Sequence, residues 1–166
     1  MVSPMRRINN PFVGNDGYDC FACCPDNPHG LQMQFYEDDD AVICRWDPQP
    51  RFEGYTGVLH GGIQATLMDE LASWCIFIRR DTAGATQHVD VSYLKPVYTA
   101  KGTIALRSRI GEVRENLVMV DIDLYDGSDT LCTQGRVTYF TYPERLARRR
   151  LAYPGREAFF IEGDGR

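Results

Sequence analysis

Apolar and polar positions change rhythm along the chain, and each change marks a different kind of element. Residues 1–30 hold no sustained period and are punctuated by Pro11, Gly14, Gly17, Pro25, Pro28 and Gly30. They read as a loop-rich lead-in. From residue 31, apolar Leu31, Met33 and Phe35 alternate with Gln32, Gln34 and Tyr36. Asp38-Asp39-Asp40 then supplies a turn before the apolar run Ala41 to Trp46. A period of two on both sides of a turn predicts a hairpin. Residues 47–60, with Pro48, Pro50, Gly54 and Gly57, return to loop character.

The period then lengthens. Between Gly61 and Arg80, Ile63, Leu67, Leu71, Trp74 and Ile78 recur at steps of three and four. Ala65, Met68, Ala72 and Cys75 widen that stripe, and no proline interrupts it. This predicts a helix that is apolar around nearly its whole circumference and buried on most sides. After a break at 81–84 come β-like segments at 85–95, 101–111, 116–125 and 130–142, the last two joined by the turn signal Asp126-Gly127-Ser128-Asp129. A hairpin, one long helix and four further strands predict an α+β domain, with an antiparallel sheet of about six strands against one central helix. Its span is 31–142. Residues 143–166, with Arg145, Arg148, Arg149 and Arg150, read as an Arg-rich appendage.

Composition narrows the class. The chain of 166 residues is 43% hydrophobic and 11% aromatic, which is ample core material for one ordered domain. The formal charge of -5 argues against nucleic acid as a partner, because that affinity depends on Lys and Arg neutralising phosphates. No run approaches the ~18 apolar residues of a membrane span. The N-terminal MVSPMRRINNPFVG holds no apolar signal core, so a soluble cytoplasmic protein with reduced thiols is expected. Cys44, Cys75, Cys132 and one of the N-terminal cysteines read as small core residues.

Two features point to chemistry. Gly61-Gly62, directly after His60, sit where a helix start leaves unpaired N–H groups, and glycines there admit a close ligand. Such a place suits an anion or a developing oxyanion. The second feature is the pair Asp69-Glu70 inside an otherwise apolar helix, since a buried carboxylate needs a partner or a function. Either acid could instead face solvent or a partner. Eight residues of helix separate Gly61 from Asp69, roughly 12 Å, so the two cannot grip one reacting carbonyl within one chain. Two copies packed helix to helix would bring them together. His60 is read as an orienting group ahead of an acid or base. Thr86, opening the next strand, either positions a water or carboxylate or is an ordinary strand residue.

Cys20-Phe21-Ala22-Cys23, Asn27-Pro28-His29-Gly30-Leu31, Gly57-Val58-Leu59-His60-Gly61-Gly62, Asp69-Glu70 and Tyr93-Leu94-Lys95-Pro96-Val97 together resemble the hotdog-fold acyl-CoA thioesterases of the PaaI-like branch, over residues 10–142. The resemblance implies a sheet wrapped around the helix in a homodimer or a dimer of dimers, an acyl-CoA substrate and no cofactor. It implies that the Gly61 N–H polarises the thioester carbonyl while Asp69 of the neighbouring chain acts as general base or nucleophile. His60 would orient the loop, and Thr86 would position the water or Asp69. Gly62, Glu70 and Lys95 are the substrate-binding candidates. Arg79, Arg80, Arg107 and the tail arginines join Lys95 as candidate CoA-phosphate contacts, against a solvated basic face as the alternative.

The chain departs from the family at Gly54, where some members carry Asn or Gln. That departure keeps open a non-catalytic acyl-CoA or small-ligand binding protein on the same fold. A hydratase ranks last, because Asp69 has no sequence-local His partner. Cys20, Cys23 and Cys24 form a cluster with only His29 close by in sequence, short of the four ligands of a structural zinc site. No metal is expected.

Overall fold

The computed structural model describes residues 5–161. Seven strands form one antiparallel sheet: β1 Arg6–Ile8, β2 Phe35–Asp38, β3 Ala41–Trp46, β4 Gly84–Tyr93, β5 Ile104–Arg114, β6 Leu117–Tyr125 and β7 Leu131–Thr141, in the order β1-β2-β3-β5-β6-β7-β4. The long helix α1, Gly61–Arg79, packs across the sheet, and a short helix α2, Glu144–Leu151, follows β7. The α+β hotdog arrangement expected from the sequence is present with seven strands rather than about six.

α1 is buried over most of its surface, with a narrow strip through Gly62, Thr66, Asp69 and Ser73 left partly exposed. Leu67, Met68, Leu71, Ala72, Cys75 and Ile76 are inaccessible to solvent. Against it, β6 alternates half-exposed and buried residues along its whole length, the period-two signature of a sheet with one covered face. The helix packs tightly at Gly135 of β7, where a Cβ would lie 2.6 Å from Met68 Sδ. Gln64 is the buried polar exception and is fully partnered. It donates to the Leu59 carbonyl at 3.1 Å and accepts from the Thr133 hydroxyl at 2.6 Å.

Three departures from the sequence reading share one cause, which is pairing between segments far apart in the chain. Residues 31–34 are not strand: the Leu31 and Met33 N–H groups donate to the Phe21 and Ala22 carbonyls, so this stretch pairs with the cysteine loop. The lead-in is not all loop, since Arg6–Ile8 pairs with β2. The tail is not an appendage. Phe159 and Tyr153 are buried against Phe77, and Phe159 also packs edge-on to Trp74. The single proton of the Tyr153 hydroxyl is shared between two acceptors in reach, the Phe77 carbonyl at 2.9 Å and Asp81 Oδ1 at 2.8 Å. The last residues of the Arg-rich segment, 162–166, lie outside the described residues.

The β6–β7 turn is built on Asp126. One carboxylate oxygen accepts from the Ser128 and Thr130 N–H groups at 2.9 and 3.1 Å, and the other pairs with Lys101 Nζ at 2.6 Å. The Lys101 ammonium and these N–H groups pull its pKa down to about 2. A depressed carboxylate contributes stability above its unfolded value and loses it as pH falls through the folded value. Asp126→Asn is therefore expected to destabilise the protein at neutral pH by about 1–3 kcal/mol. The difference from wild type in denaturant titrations should shrink as pH drops from about 4 to about 2.

Candidate active site

The chain enters α1 through a turn held at both ends. The Gly54 N–H donates to the Val58 carbonyl, the His60 N–H to the Phe52 carbonyl and the Leu59 N–H to the Val97 carbonyl. His60 is the N-cap, and its Nδ1 accepts from the Gly62 N–H at 2.9 Å. That bond fixes the neutral tautomer with the proton on Nε2, which leaves a donor facing solvent. It also occupies Gly62, so the two glycines differ. The Gly61 N–H has no acceptor among the described residues and remains the open donor at the positive end of the helix.

A cleft of about 790 Å³ opens onto this donor, lined by Tyr55, His60, Gly61, Gln64, Tyr93 and Lys95 among others. Tyr93, from the end of β4, donates its hydroxyl to the Gly61 carbonyl at 2.7 Å. A Cβ at position 61 would sit 3.2 Å from the Tyr93 ring, so glycine there keeps the tyrosine close as well as the N–H open. Gly54 acquires a similar reason. A Cβ on it would lie 3.1 Å from the His60 ring.

Asp69 does not line this cleft. It lies two turns along α1, where the Thr86 hydroxyl donates to its Oδ1 at 2.7 Å. Its Oδ2 has no partner among the described residues. A shift in the β4–β7 register between Thr86 and His88 places a bulge beside this pair, a common device for aiming a side chain at a site. Thr86 thus touches Asp69, and His60, Gly61, Gly62 and Lys95 gather around the helix start.

Glu70 departs from its expected place. It points away from the cleft, accepting from Trp74 Nε1 at 3.0 Å and lying 3.8 Å from Cys20 Sγ. Burial and the Cys20 charge push its pKa up to about 7. Cys20 moves the other way, to about 5, because the Cys23 thiol and the backbone N–H groups of residues 22–24 donate to its sulfur. Two of the candidate phosphate contacts are also committed elsewhere, Arg79 to Glu37 and Arg107 to Asp38. Of the basic candidates, Lys95 alone lines the cleft.

A family model described as "Thioesterase superfamily" matches residues 56–133, which span the helix-start turn, α1, β4, β5, β6 and the first residues of β7. Over those residues the chain is similar to the thioesterase superfamily. Among curated relatives, it is 29% identical over 97 residues to a Saccharolobus solfataricus protein named for an inferred esterase activity, covering 58% of this chain and 63% of that one. It is 25% identical to human acyl-coenzyme A thioesterase 13, covering 58% and 70%. The match thus spans less than two thirds of the archaeal relative. Two solved structures share the fold. The PaaI protein of E. coli has a TM-score of 0.61 at 13% identity, covering 69% of this chain and 82% of its own. A Streptococcus mutans protein bound to acetyl CoA has a TM-score of 0.57 at 21% identity, covering 63% and 83%.

Sequence reasoning passed over Tyr93 and Gln64, although Tyr93 stands in a segment that carried the resemblance. Their roles depend on which strand end meets the helix start, and only β4 pairing with β7 decides that. Because His60 caps α1 through its side chain, His60→Ala should lower stability by about 1 kcal/mol. His60→Asn, which keeps a capping oxygen, should recover most of that loss in urea titrations.

Proposed function

We propose that the protein hydrolyses acyl-CoA or related carrier thioesters at two sites shared across a homodimer. The observation that carries this reading is the layout of β4. It is an edge strand of ten residues, exposed along nearly all its length, with Val89 and Tyr93 both presented to solvent. A long unpaired edge calls for a partner.

One end of β4 carries Thr86 and, through it, Asp69; the other end carries Tyr93 and, through it, Gly61. If two copies pair antiparallel about a two-fold axis near Val89 and Asp90, Thr86 of each faces Tyr93 of the other. Each half-site then meets its complement, which resolves the separation of roughly 12 Å along one helix.

In the complete site the Gly61 N–H donates to the thioester carbonyl oxygen. The Asp69 carboxylate of the other protomer, held through Oδ1 by Thr86, uses its free Oδ2 to take a proton from water. The water oxygen attacks the carbonyl carbon, and the tetrahedral oxyanion gains charge against the Gly61 N–H and the helix dipole. Collapse breaks the C–S bond and releases a carboxylic acid and a thiol. Lys95 at the rim and the His60 Nε2–H offer cationic and donor contacts to the carrier. The names of the human relative and of the acetyl CoA-bound neighbour support acyl-CoA as the substrate class.

Asp69→Asn should abolish thiol release from a panel of acyl-CoA esters while leaving the fold intact. Gly61→Pro removes the N–H and also presses on Tyr93, so Tyr93→Phe is the control for the ring contact; proline is tolerated at the first helical position, and His60, at φ -59 and ψ 134, already has the backbone proline requires before it. A loss of about 10²–10³ in turnover is expected. An equal mixture of the two inactive variants, unfolded and refolded together, should recover about a quarter of wild-type activity. Half the dimers are then mixed, each with one intact site. No recovery despite confirmed mixed dimers would overturn the shared site. Tight acyl-CoA binding without thiol release by wild type would make the protein a binder rather than an enzyme.

A further inference from the structure

A second cavity, of about 410 Å³, lies beside the middle of α1, away from the helix start. Tyr18, Cys20, Cys23 and Glu70 line it together with the apolar Phe12 and Phe77. The Cys20 and Cys23 sulfurs are 3.2 Å apart, and Cys20 Sγ lies 3.8 Å from Glu70 Oε1. All three donor atoms fall within 4.8 Å of one another. We propose that Cys20, Cys23 and Glu70 bind a thiophilic divalent cation of the zinc class.

Spacing is the first argument. Tetrahedral zinc with bonds of about 2.3 Å to sulfur and about 2.1 Å to oxygen sets its sulfurs about 3.8 Å apart and sulfur and oxygen about 3.5 Å apart. The present distances bracket those values, so an ion fits after sulfur shifts of about half an ångström. The local backbone is the second. The Cys23 N–H donates to Cys20 Sγ at 3.3 Å, and the Cys24 N–H donates to the Cys20 carbonyl. The Cys-x-x-Cys segment thus wraps round the first sulfur in the tight turn that favours its thiolate. Charge is the third. Every titratable group lining the cavity is an acid, and no Lys, Arg or His is among its lining residues. Deprotonating thiols beside a carboxylate in an apolar cavity demands a cation.

The sequence alone offered Cys20, Cys23 and Cys24 with only His29 close by; the fold brings in Glu70 from 50 residues beyond Cys20. A fourth position faces the Tyr18 hydroxyl, 3.0 Å from Cys23 Sγ and itself accepting from Asn10, or solvent entering through the cavity. Binding exchanges protons for the ion: each thiol that ligates releases one. The ion would tie the lead-in to α1 one residue from Asp69. The site stands apart from the Gly61 cleft and does not depend on the thioesterase reading.

The test is titration of the full chain, kept reduced with a phosphine, using Zn²⁺ and then Co²⁺ alone. The expected result is one equivalent bound, a near-ultraviolet thiolate-to-cobalt charge-transfer band, and a thermal midpoint that rises with Zn²⁺. The band should vanish in the Cys20→Ser/Cys23→Ser double variant, and Glu70→Gln should weaken binding at least about tenfold. No stoichiometric uptake by wild type, or a cobalt spectrum without the thiolate band, would overturn the proposal whether or not the variants fold. Unchanged uptake by a folded double variant would assign the ion elsewhere and overturn it equally.

Discussion

A helix that is apolar around most of its circumference has to be covered around most of it, and the rest of this structure follows from how α1 meets that demand. The sheet covers one side, with Met68 packed down onto Gly135. The lead-in and the tail cover another: Phe12, Tyr153 and Phe159 close over Phe77, and Phe35 stacks on Trp74 at 4.2 Å. Two places escape cover. One is the helix start, where backbone N–H groups must find acceptors outside the helix. The other is the strip beside the edge strand β4, where Asp69 meets Thr86. The proposed hydrolytic chemistry occupies both, because there the polar groups of α1 at its start and at Asp69 stay open to a ligand.

The elements legible in the sequence are those whose determinants are local. α1 was readable to within one residue at its end because period, glycines and terminal arginines all lie inside it. The hairpin turns were readable because acidic residues in turns tolerate left-handed backbone, and Asp39 and Asp129 have φ of 51 and 60. Residues 31–34 were not. Their alternation suits a strand, but the segment they pair with is an irregular cysteine loop. The tail showed the same blindness. Phe159 is visible as an aromatic residue, yet nothing nearby in sequence reveals that its place is against Trp74 and Phe77.

The candidate site divides along the same line. Gly61, His60 and Asp69 belong to one helix and its entrance, so residue spacing alone exposed both the donor and the distance problem. Tyr93 required knowledge of strand register. Glu70 was misplaced for a reason available in advance: consecutive helical residues point about 100° apart, so Asp69 and Glu70 could not both face one cleft. Taking them as a pair of neighbouring carboxylates overlooked the helix that carries them.

That angular separation has a physical consequence. Asp69 stays at the half-exposed strip by β4, where water can reach its free oxygen. Glu70 turns inward and is met by the Trp74 indole and by the Cys20 sulfur, which Cys23 backs in turn. The rotation of α1 about its own axis decides both placements at once. Three contacts on different sides set that rotation: Gln64 bound to Thr133 below, Trp74 stacked on Phe35, and Glu70 against the cysteine loop. A turn of the helix that relieved the buried Glu70 would carry Asp69 away from Thr86. The lead-in, which lies outside the family match at 56–133, therefore helps to aim Asp69 through a residue that itself need never touch substrate.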